Sequence, residues 1–437
     1  MAVANKARDF SDAFGAGDIG FLIGLWHDLG KFNPAFQDYL WDCHEANLAG
    51  RAKPTQRVPH AIWGAAFAYL VLKSKGVVPW RHPALAVKGH HAGLSIAGMV
   101  ELDLQAFIDT TPGSLPCMQA GFKEVLRRVP DPLPLVSFPR MDLFQAELFG
   151  RMLLSALVDA DRLATESHGR PDVSELRGNA PTLGQLWATL EESKPPAAPQ
   201  SPSVKRVREE VYQACLAAAL RPTGLFRLTV PTGGGKTRSG LAFALKHALQ
   251  HDLRHIIVAL PYTSIIDQTV ESYRAMLGDE AVVEHHSAVD VPDTEDEDEA
   301  TIRRRLATEN WDAPIIVTTT VQLFESLFTN KPTKARKLHR LAKSVIVLDE
   351  AQTLPPELLE STLDAVRWLA RPVDEGGFGA TVVFCTATQP AFDAGPLFEI
   401  CLRGSHSARL SPSSKNTTMI CNESSTTGGG RPWAGPT

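Results

Sequence analysis

The 437-residue sequence holds only six cysteines, Cys43, Cys117, Cys215, Cys385, Cys401 and Cys421, with no C-x-x-C pair among them. That scatter excludes a disulfide framework and a zinc knuckle and suits a reducing compartment such as the cytoplasm. No apolar run approaches the ~18 residues a membrane span requires, and the opening MAVANKARDFSDAFGAGDIG has no basic segment leading into an apolar one. A soluble protein with no membrane partner and no export signal is expected. Basic excess is lacking too: 44 Lys and Arg face 49 Asp and Glu, a net charge of −5. The run Glu295-Asp-Glu-Asp-Glu299 accounts for the imbalance and reads as a solvated loop. Any groove for a polyanion must therefore be local.

With 44% hydrophobic residues, a chain of this length fills more than one core. Ser193-Lys-Pro-Pro-Ala-Ala-Pro-Gln-Ser-Pro-Ser203 cannot propagate a helix or a sheet and reads as a stiff linker. It divides the chain into units at 1–192 and 205–402, with the linker at 193–204. Upstream, FLIGLWHDLG, HAIWGAAFAYLVL and FGRMLLSALVDADRLATE read as buried helices, and β-branched runs are scarce. Downstream, β-rich runs at 225–230, 256–260, 315–319, 345–349 and 381–386 alternate with helical patterns, which is the grammar of a parallel sheet with crossover helices. Residues 403–437 are crowded with Ser, Thr and Gly, lack an apolar period and read as a disordered or out-of-frame tail.

Pro231-Thr232-Gly233-Gly234-Gly235-Lys236-Thr237 follows the first of these strands and precedes the helical RSGLAFALKHAL, the context of a phosphate loop. Glycine lets backbone N–H groups approach phosphate oxygens at a helix N-terminus. Lys236 would reach the β- and γ-phosphates of ATP, and the Thr237 hydroxyl its Mg²⁺. Val230 occupies the place where the generic loop has its first glycine, which narrows the type toward helicase loops. Asp349 and Glu350 end the VIVL strand, where parallel sheets bind ligands, Asp349 suited to Mg²⁺ and Glu350 to the attacking water. Pro261-Tyr-Thr-Ser264, Thr318-Thr-Thr-Val-Gln322 and Thr386-Ala-Thr388 close other strands. The first two are placed to grip the sugar-phosphates of a single strand and the third to sense the γ-phosphate.

The first half is rich in histidine. On a helix, His27 and Asp28 diverge by roughly 100°, which suits ligands of two different ions, and Lys31 shares their rim. His60, His90-His91 and one aspartate of Asp159-Ala-Asp161 are the further candidates. Imidazole and carboxylate without thiolate select Mn, Fe, Co, Ni or Mg. Two such ions ~4 Å apart activate a water and clamp a phosphodiester, with Lys31 neutralising phosphate charge. His44, His82 and His168 have no such setting, and His285-His286, without an acidic helix partner of its own, reads as structural.

His-Asp followed by Leu-Gly-Lys, then His60 before a small-residue helix, His90-His91 and Ala160-Asp161-Arg162 together resemble the HD phosphohydrolase pattern. Set ahead of PTGGGKT, PYTSIIDQT, TTTVQLFESLF, LDEAQTLPPELL and CTATQPAF, the pattern is similar, from about Ala2 to Phe392, to the signature nuclease–helicase family of type I CRISPR systems. The resemblance implies an α-helical HD domain followed by an α/β RecA-like domain of superfamily 2 helicases. It implies a metal-dependent endonuclease for single-stranded DNA, joined to an ATP-dependent motor running 3′ to 5′. An RNA-guided surveillance complex would recruit it to the displaced strand of an R-loop.

Carried over by position, the metal ligands would be His27, Asp28, His60, His90, His91 and Asp161, favoured over Asp159 by its Ala-Asp-Arg context. The ATP residues would be Gly233, Gly235, Lys236, Thr237, Asp349 and Glu350, with Gln352 where many members have histidine. Members carry one histidine ahead of the His-Asp pair, and none precedes His27; members also carry a second RecA-like domain, and nothing after Cys401 reads as one. Weak ATP turnover is therefore expected. Rival expectations are hydrolysis of a small nucleotide phosphoester with an ATP-sensing second half, and an inactive binding module.

Overall fold

The computed structural model describes residues 1–111 apart from 56–57, 75 and 77–79, and scattered positions between 113 and 127. It further describes 141–193, 201–230, 233–286, 298–354, 356–386 and the backbone of two strands at 405–410 and 418–424. Helices α1 (Ala2–Asp12) and α2 (Gly17–Trp26) pack as a hairpin; α2 is apolar nearly all round, and it is buried along nearly its whole length. They are followed by α3 (Pro34–Leu48), α4 (Ala61–Ser74), α5 (Arg81–Gly89) and α6 (Val100–Thr110). The 27-residue α7 (Leu143–Gly169) starts where the Asp142 carboxylate accepts from the Gln145 N–H, and it packs against α1, α2 and α5.

After the short α8 (Pro171–Glu175), a Thr182–Gln185 capping box starts α9 (Leu183–Glu192). Leu186 and Leu190 of α9 pack into the core of the sheet that follows, and the Arg238 guanidinium ties down its C-terminal end through the Leu190 and Ser193 carbonyls. Ser201 caps α10 (Pro202–Ala218), with Pro202 in the first turn, so the proline stretch ends by starting a helix.

The second half then alternates strand and helix: β1 (Leu225–Thr229), α11 (Lys236–Gln250), β2 (His255–Leu260), α12 (Thr263–Leu277), β3 (Val282–His285) and α13 (Glu299–Asn310). It continues through β4 (Ile315–Thr319), α14 (Thr320–Phe328), α15 (Pro332–Ala335), β5 (Ser344–Leu348), α16 (Leu359–Ala370) and β6 (Thr381–Thr386). The order β3-β4-β2-β5-β6-β1 is parallel throughout. The five strands expected from sequence are present, and the four-residue β3 is an addition too short to show an alternation. Within 403–437, β7 (Ser405–Leu410) and β8 (Thr418–Ser424) form an antiparallel pair that joins the sheet beside β1; the rest of that stretch lies outside the described residues.

The end of the acidic run is not loop: Asp298 accepts from the Thr301 N–H and starts α13, while 295–297 lie outside the described residues. Alternation along the strands sends the two faces into separate cores. Ile256, Val258, Val345 and Val347 meet α9 to α12, whereas Ile257, Ala259, Ile346 and Leu348 point the other way. That second face shares one continuous core with the helical half, through contacts such as Phe14 against Phe378, ring centroids 5.7 Å apart.

Candidate metal centre and nucleotide site

Sequence pattern placed His27 and Asp28 on one helix and expected them to diverge. Instead α2 stops at Trp26, His27 closes it, and Asp28 (φ −105°, ψ 12°) leads into a 3₁₀ turn, Leu29–Phe32. The change of direction brings the two side chains together: His27 Nε2 lies 3.2 Å from Asp28 Oδ2 and 3.4 Å from Asp161 Oδ1. On the other side of Asp28, its Oδ1 is 3.3 Å from His60 Nε2 and 4.0 Å from His90 Nε2, and His60 Nε2 is 3.0 Å from His91 Nε2. Glycines permit the approach. A Cβ on Gly30 would lie 2.2 Å from the His60 carbonyl oxygen, and one on Gly64 2.0 Å from that of Trp26.

Two donor sets result, Asp28 with His60, His90 and His91, and Asp28 with His27 and Asp161; within each, the donor atoms lie within 4.8 Å of one another. Asp28 belongs to both. His27 Nδ1 donates to the Gly24 carbonyl at 2.9 Å and His90 Nδ1 to that of Val87 at 2.7 Å, which fixes each ring with Nε2 facing inward. His27 Nε2, Asp28 Oδ1 and His90 Nε2 are buried without a hydrogen-bond partner. Orphaned acceptors of this kind are costly, and a cation among them satisfies all three. The residues thus fit a pair of divalent ions.

The electrostatics point the same way. Burial would raise the Asp28 carboxyl, but His27, His60 and Lys31 hold it far below the usual carboxylate range. Burial and the neighbouring His27 and His91 push His90 down to about 3, so it stays neutral and able to ligate. His27 is the exception: burial opposes its protonation, yet the facing Asp161 and Asp28 carboxylates raise it to about 9, so a cation bound at Nε2 would have to displace a proton. Lys31 Nζ sits on the rim, 2.5 Å from Asp28 Oδ2 and partly exposed.

Asp159 is not in this cluster. Two residues along a helix turn a side chain by about 200°, so Asp161 faces His27 while Asp159 faces the second half of the chain. There its Oδ1 accepts from Arg336 Nε at 2.6 Å and its Oδ2 from Asn310 Nδ2 at 3.0 Å. Burial raises its carboxyl, with Arg336 and Arg340 opposing. Sequence pattern gave no sign of Arg336 or Asn310, which lie 177 and 151 residues away.

At the C-terminal edge of the sheet, Gly235 (φ 86°) caps α11, and Lys236 Nζ lies 2.7 Å from both Asp349 Oδ1 and Glu350 Oε1. Burial would lower the lysine, and the two carboxylates raise it. Glu350 adopts φ 48°, and Gln352 Nε2 donates to its Oε2 at 2.6 Å. Arg208 Nε donates to the Gly233 carbonyl at 2.9 Å, steadying the loop from α10. Lys236, Asp349 and Glu350 thus meet directly after the glycine loop, while Pro231, Thr232 and residues 387–388 lie outside the described residues.

The hydroxyls of Thr318 and Thr319, expected at a nucleic acid, both have internal partners. Thr318 donates to the His285 carbonyl at 2.7 Å, and Thr319 accepts from the Gln322 N–H at 3.0 Å as the cap of α14. His286 does have acidic neighbours, Glu284 at 2.7 Å and Asp267 of α12 at 4.0 Å, contrary to expectation.

Residues 7–164 match the family model of the Cas3 HD domain, and residues 209–394 that of the DEAD/DEAH box helicases. The CRISPR-associated nuclease/helicase Cas3 of Haloferax volcanii is 34% identical over 186 residues, 37% of this chain and 19% of that protein. Crystal structures of T. fusca Cas3 share the fold: the AMPPNP form aligns with TM-score 0.61 at 19% identity, over 92% of this chain and 48% of that one. A chain of a pre-nicking CRISPR RNA-guided surveillance complex aligns with TM-score 0.50 at 18% identity, over 91% of this chain and 44% of that one. The chain spans about half the length of these solved relatives. The chain thus carries a region matching the Cas3 HD domain followed by one matching the DEAD/DEAH box helicases, in the order expected from sequence.

Proposed function

We propose that this chain is a metal-dependent endonuclease for single-stranded DNA joined to an ATP-binding helicase domain, and that it acts in CRISPR interference. The observation that carries the reading is the sharing of Asp28 between two histidine and carboxylate sets whose buried acceptors have no other partner. Its residues would hold two divalent ions, chosen from Mn, Fe, Co, Ni and Mg: His27, Asp28 and Asp161 on one side, Asp28, His60, His90 and His91 on the other. Ions bound there supply Lewis-acid stabilisation of a phosphodiester's charge and favour deprotonation of an attacking water. Gly24 and Val87 orient His27 and His90 through their carbonyls. Lys31 at the rim neutralises the incoming phosphate.

In the second half, Lys236, now paired with Asp349 and Glu350, would bind the β- and γ-phosphates of ATP, with Asp349 suited to hold Mg²⁺ and Glu350 to orient the attacking water. The single strand is that of an R-loop, presented by an RNA-guided surveillance complex. A cytoplasmic location is part of the proposal; among the described residues no helix is long and apolar enough to cross a membrane. The test is nicking of a single-stranded DNA circle with Mn²⁺. His27→Ala and Asp28→Ala should abolish it, and nicking at the wild-type rate in either variant would refute the proposal.

A further inference from the structure

Helix α7 is apolar along most of its length, yet Arg151, Ser155 and Asp159 interrupt it at intervals of four, which aligns them on one face. All three bind one segment of the helicase domain. The Arg151 guanidinium donates to the Thr329 carbonyl, Ser155 Oγ meets both Nδ1 (3.0 Å) and the backbone N–H (2.9 Å) of His339, and Asp159 takes Arg336 at 2.6 Å. The same segment reaches the other side of the histidine cluster. The Leu94 N–H, three residues past His91, donates to the Asn330 carbonyl at 3.1 Å, and Gly93 (φ 95°) lies so close that a Cβ would stand 2.3 Å from that oxygen.

Buried ion pairs add little to stability relative to apolar packing, so three polar contacts along one stripe need another explanation. Register is what they fix. A carboxylate about 5 Å from a helix axis moves about 0.9 Å for a rotation of about 10°, beyond the about 0.5 Å tolerance of a working site. Asp161, two residues from Asp159 on the opposite side of α7, is the group such a rotation would displace from His27.

We propose that residues 329–340 form a bracket that sets the position of the metal cluster from outside, holding α7 at Asp161 and the turn after His91, with Arg336 its principal positioning residue. Arg336 is buried, touches no residue of the cluster, and is locked at its far end by Glu309 at 2.6 Å from its second nitrogen. The inference rests on reading the cluster as the nuclease centre.

The experiment uses the full chain and two readouts: the Mn²⁺ concentration for half-maximal nicking of single-stranded DNA, and bound Mn²⁺ counted by electron paramagnetic resonance. Circular dichroism establishes which variants remain folded. Arg336→Gln should raise the half-maximal Mn²⁺ about tenfold and weaken Mn²⁺ binding equally, while nicking at saturating Mn²⁺ falls much less. Arg336→Lys, which keeps the charge beside Asp159, should recover most of the shift. Gly93→Ala should reproduce it from the other side, and it decides the matter if Arg336→Gln does not fold. Folded Gly93→Ala and Arg336 variants with wild-type Mn²⁺ dependence overturn the bracket. Asp161→Ala with wild-type nicking instead overturns the reading of the cluster, and the bracket falls with it.

Discussion

His247 sits in the last turn of α11, the helix that begins at Lys236, and it is fully buried. Its Nδ1 donates to the Ala219 carbonyl at 2.9 Å, and its Nε2 accepts from the Thr381 hydroxyl at 2.9 Å, so the neutral ring is tied on both sides. It also stacks on Phe243, centroids 5.0 Å apart. A second proton at Nε2 would face a hydroxyl that is donating to it, inside an apolar core. Burial accordingly pushes the imidazole down from 6.5 to about 4. Between those values the unfolded chain binds the proton and the folded one does not, so stability is full above about pH 6.5 and is lost as pH falls toward 4.

For this one group the loss between pH 7.5 and 5.0 is about 2 kcal/mol. His255, lowered to about 4, and His285, lowered to about 3, act in the same direction, so only a difference isolates His247. His247→Gln replaces the ring with an amide that does not titrate. Urea unfolding at the two pH values, followed by tryptophan fluorescence, should show the variant less stable at pH 7.5 but with a pH dependence smaller by about 2 kcal/mol. Equal pH dependence in the two proteins would refute the assignment of a neutral, doubly bonded imidazole.

Gly64→Ala forces a methyl group against the Trp26 carbonyl and should cost about 1 to 3 kcal/mol in thermal unfolding, with a parallel loss of bound Mn²⁺. Thr319→Ala removes the α14 cap and should cost about 1 kcal/mol, read as a shift in urea midpoint. Lys236→Ala should weaken binding of a fluorescent ATP analogue at least tenfold, by about 1.4 kcal/mol or more, while leaving Mn²⁺-dependent nicking in place. Unchanged analogue affinity would mean that the glycine loop does not hold phosphates.

The histidine and carboxylate cluster was legible because its members occur in short local patterns, and because each side chain has a chemistry that few other roles require. The choice between Asp159 and Asp161 was not settled by helical geometry alone. Which side of α7 faces the histidines depends on neighbours such as Arg336, whose distance along the chain carries no periodic signal. The same limit hid the internal partners of Thr318 and Thr319: a threonine at a strand end looks alike whether it caps a helix or waits for a ligand. The convergence of His27 and Asp28 depended on where α2 ends, which the apolar run GDIGFLIGLW continuing into HDLG did not mark. The parallel sheet was legible from its five short β-rich runs, four of which are apolar and buried on both faces, as a sheet covered by helices requires.

The proline stretch suggests two modules joined by a tether, yet the helical half and one face of the sheet bury a single apolar mass, with Phe14 wedged between Phe149 and Phe378. Expressed alone, the first half would bring Phe14 and its neighbours into water, at about 2 kcal/mol for each large side chain bared. Such a fragment would be sticky, and its failure to cut DNA would say little about the chemistry of its histidines. A protease cut between 193 and 201 should leave the pieces travelling together through a sizing column.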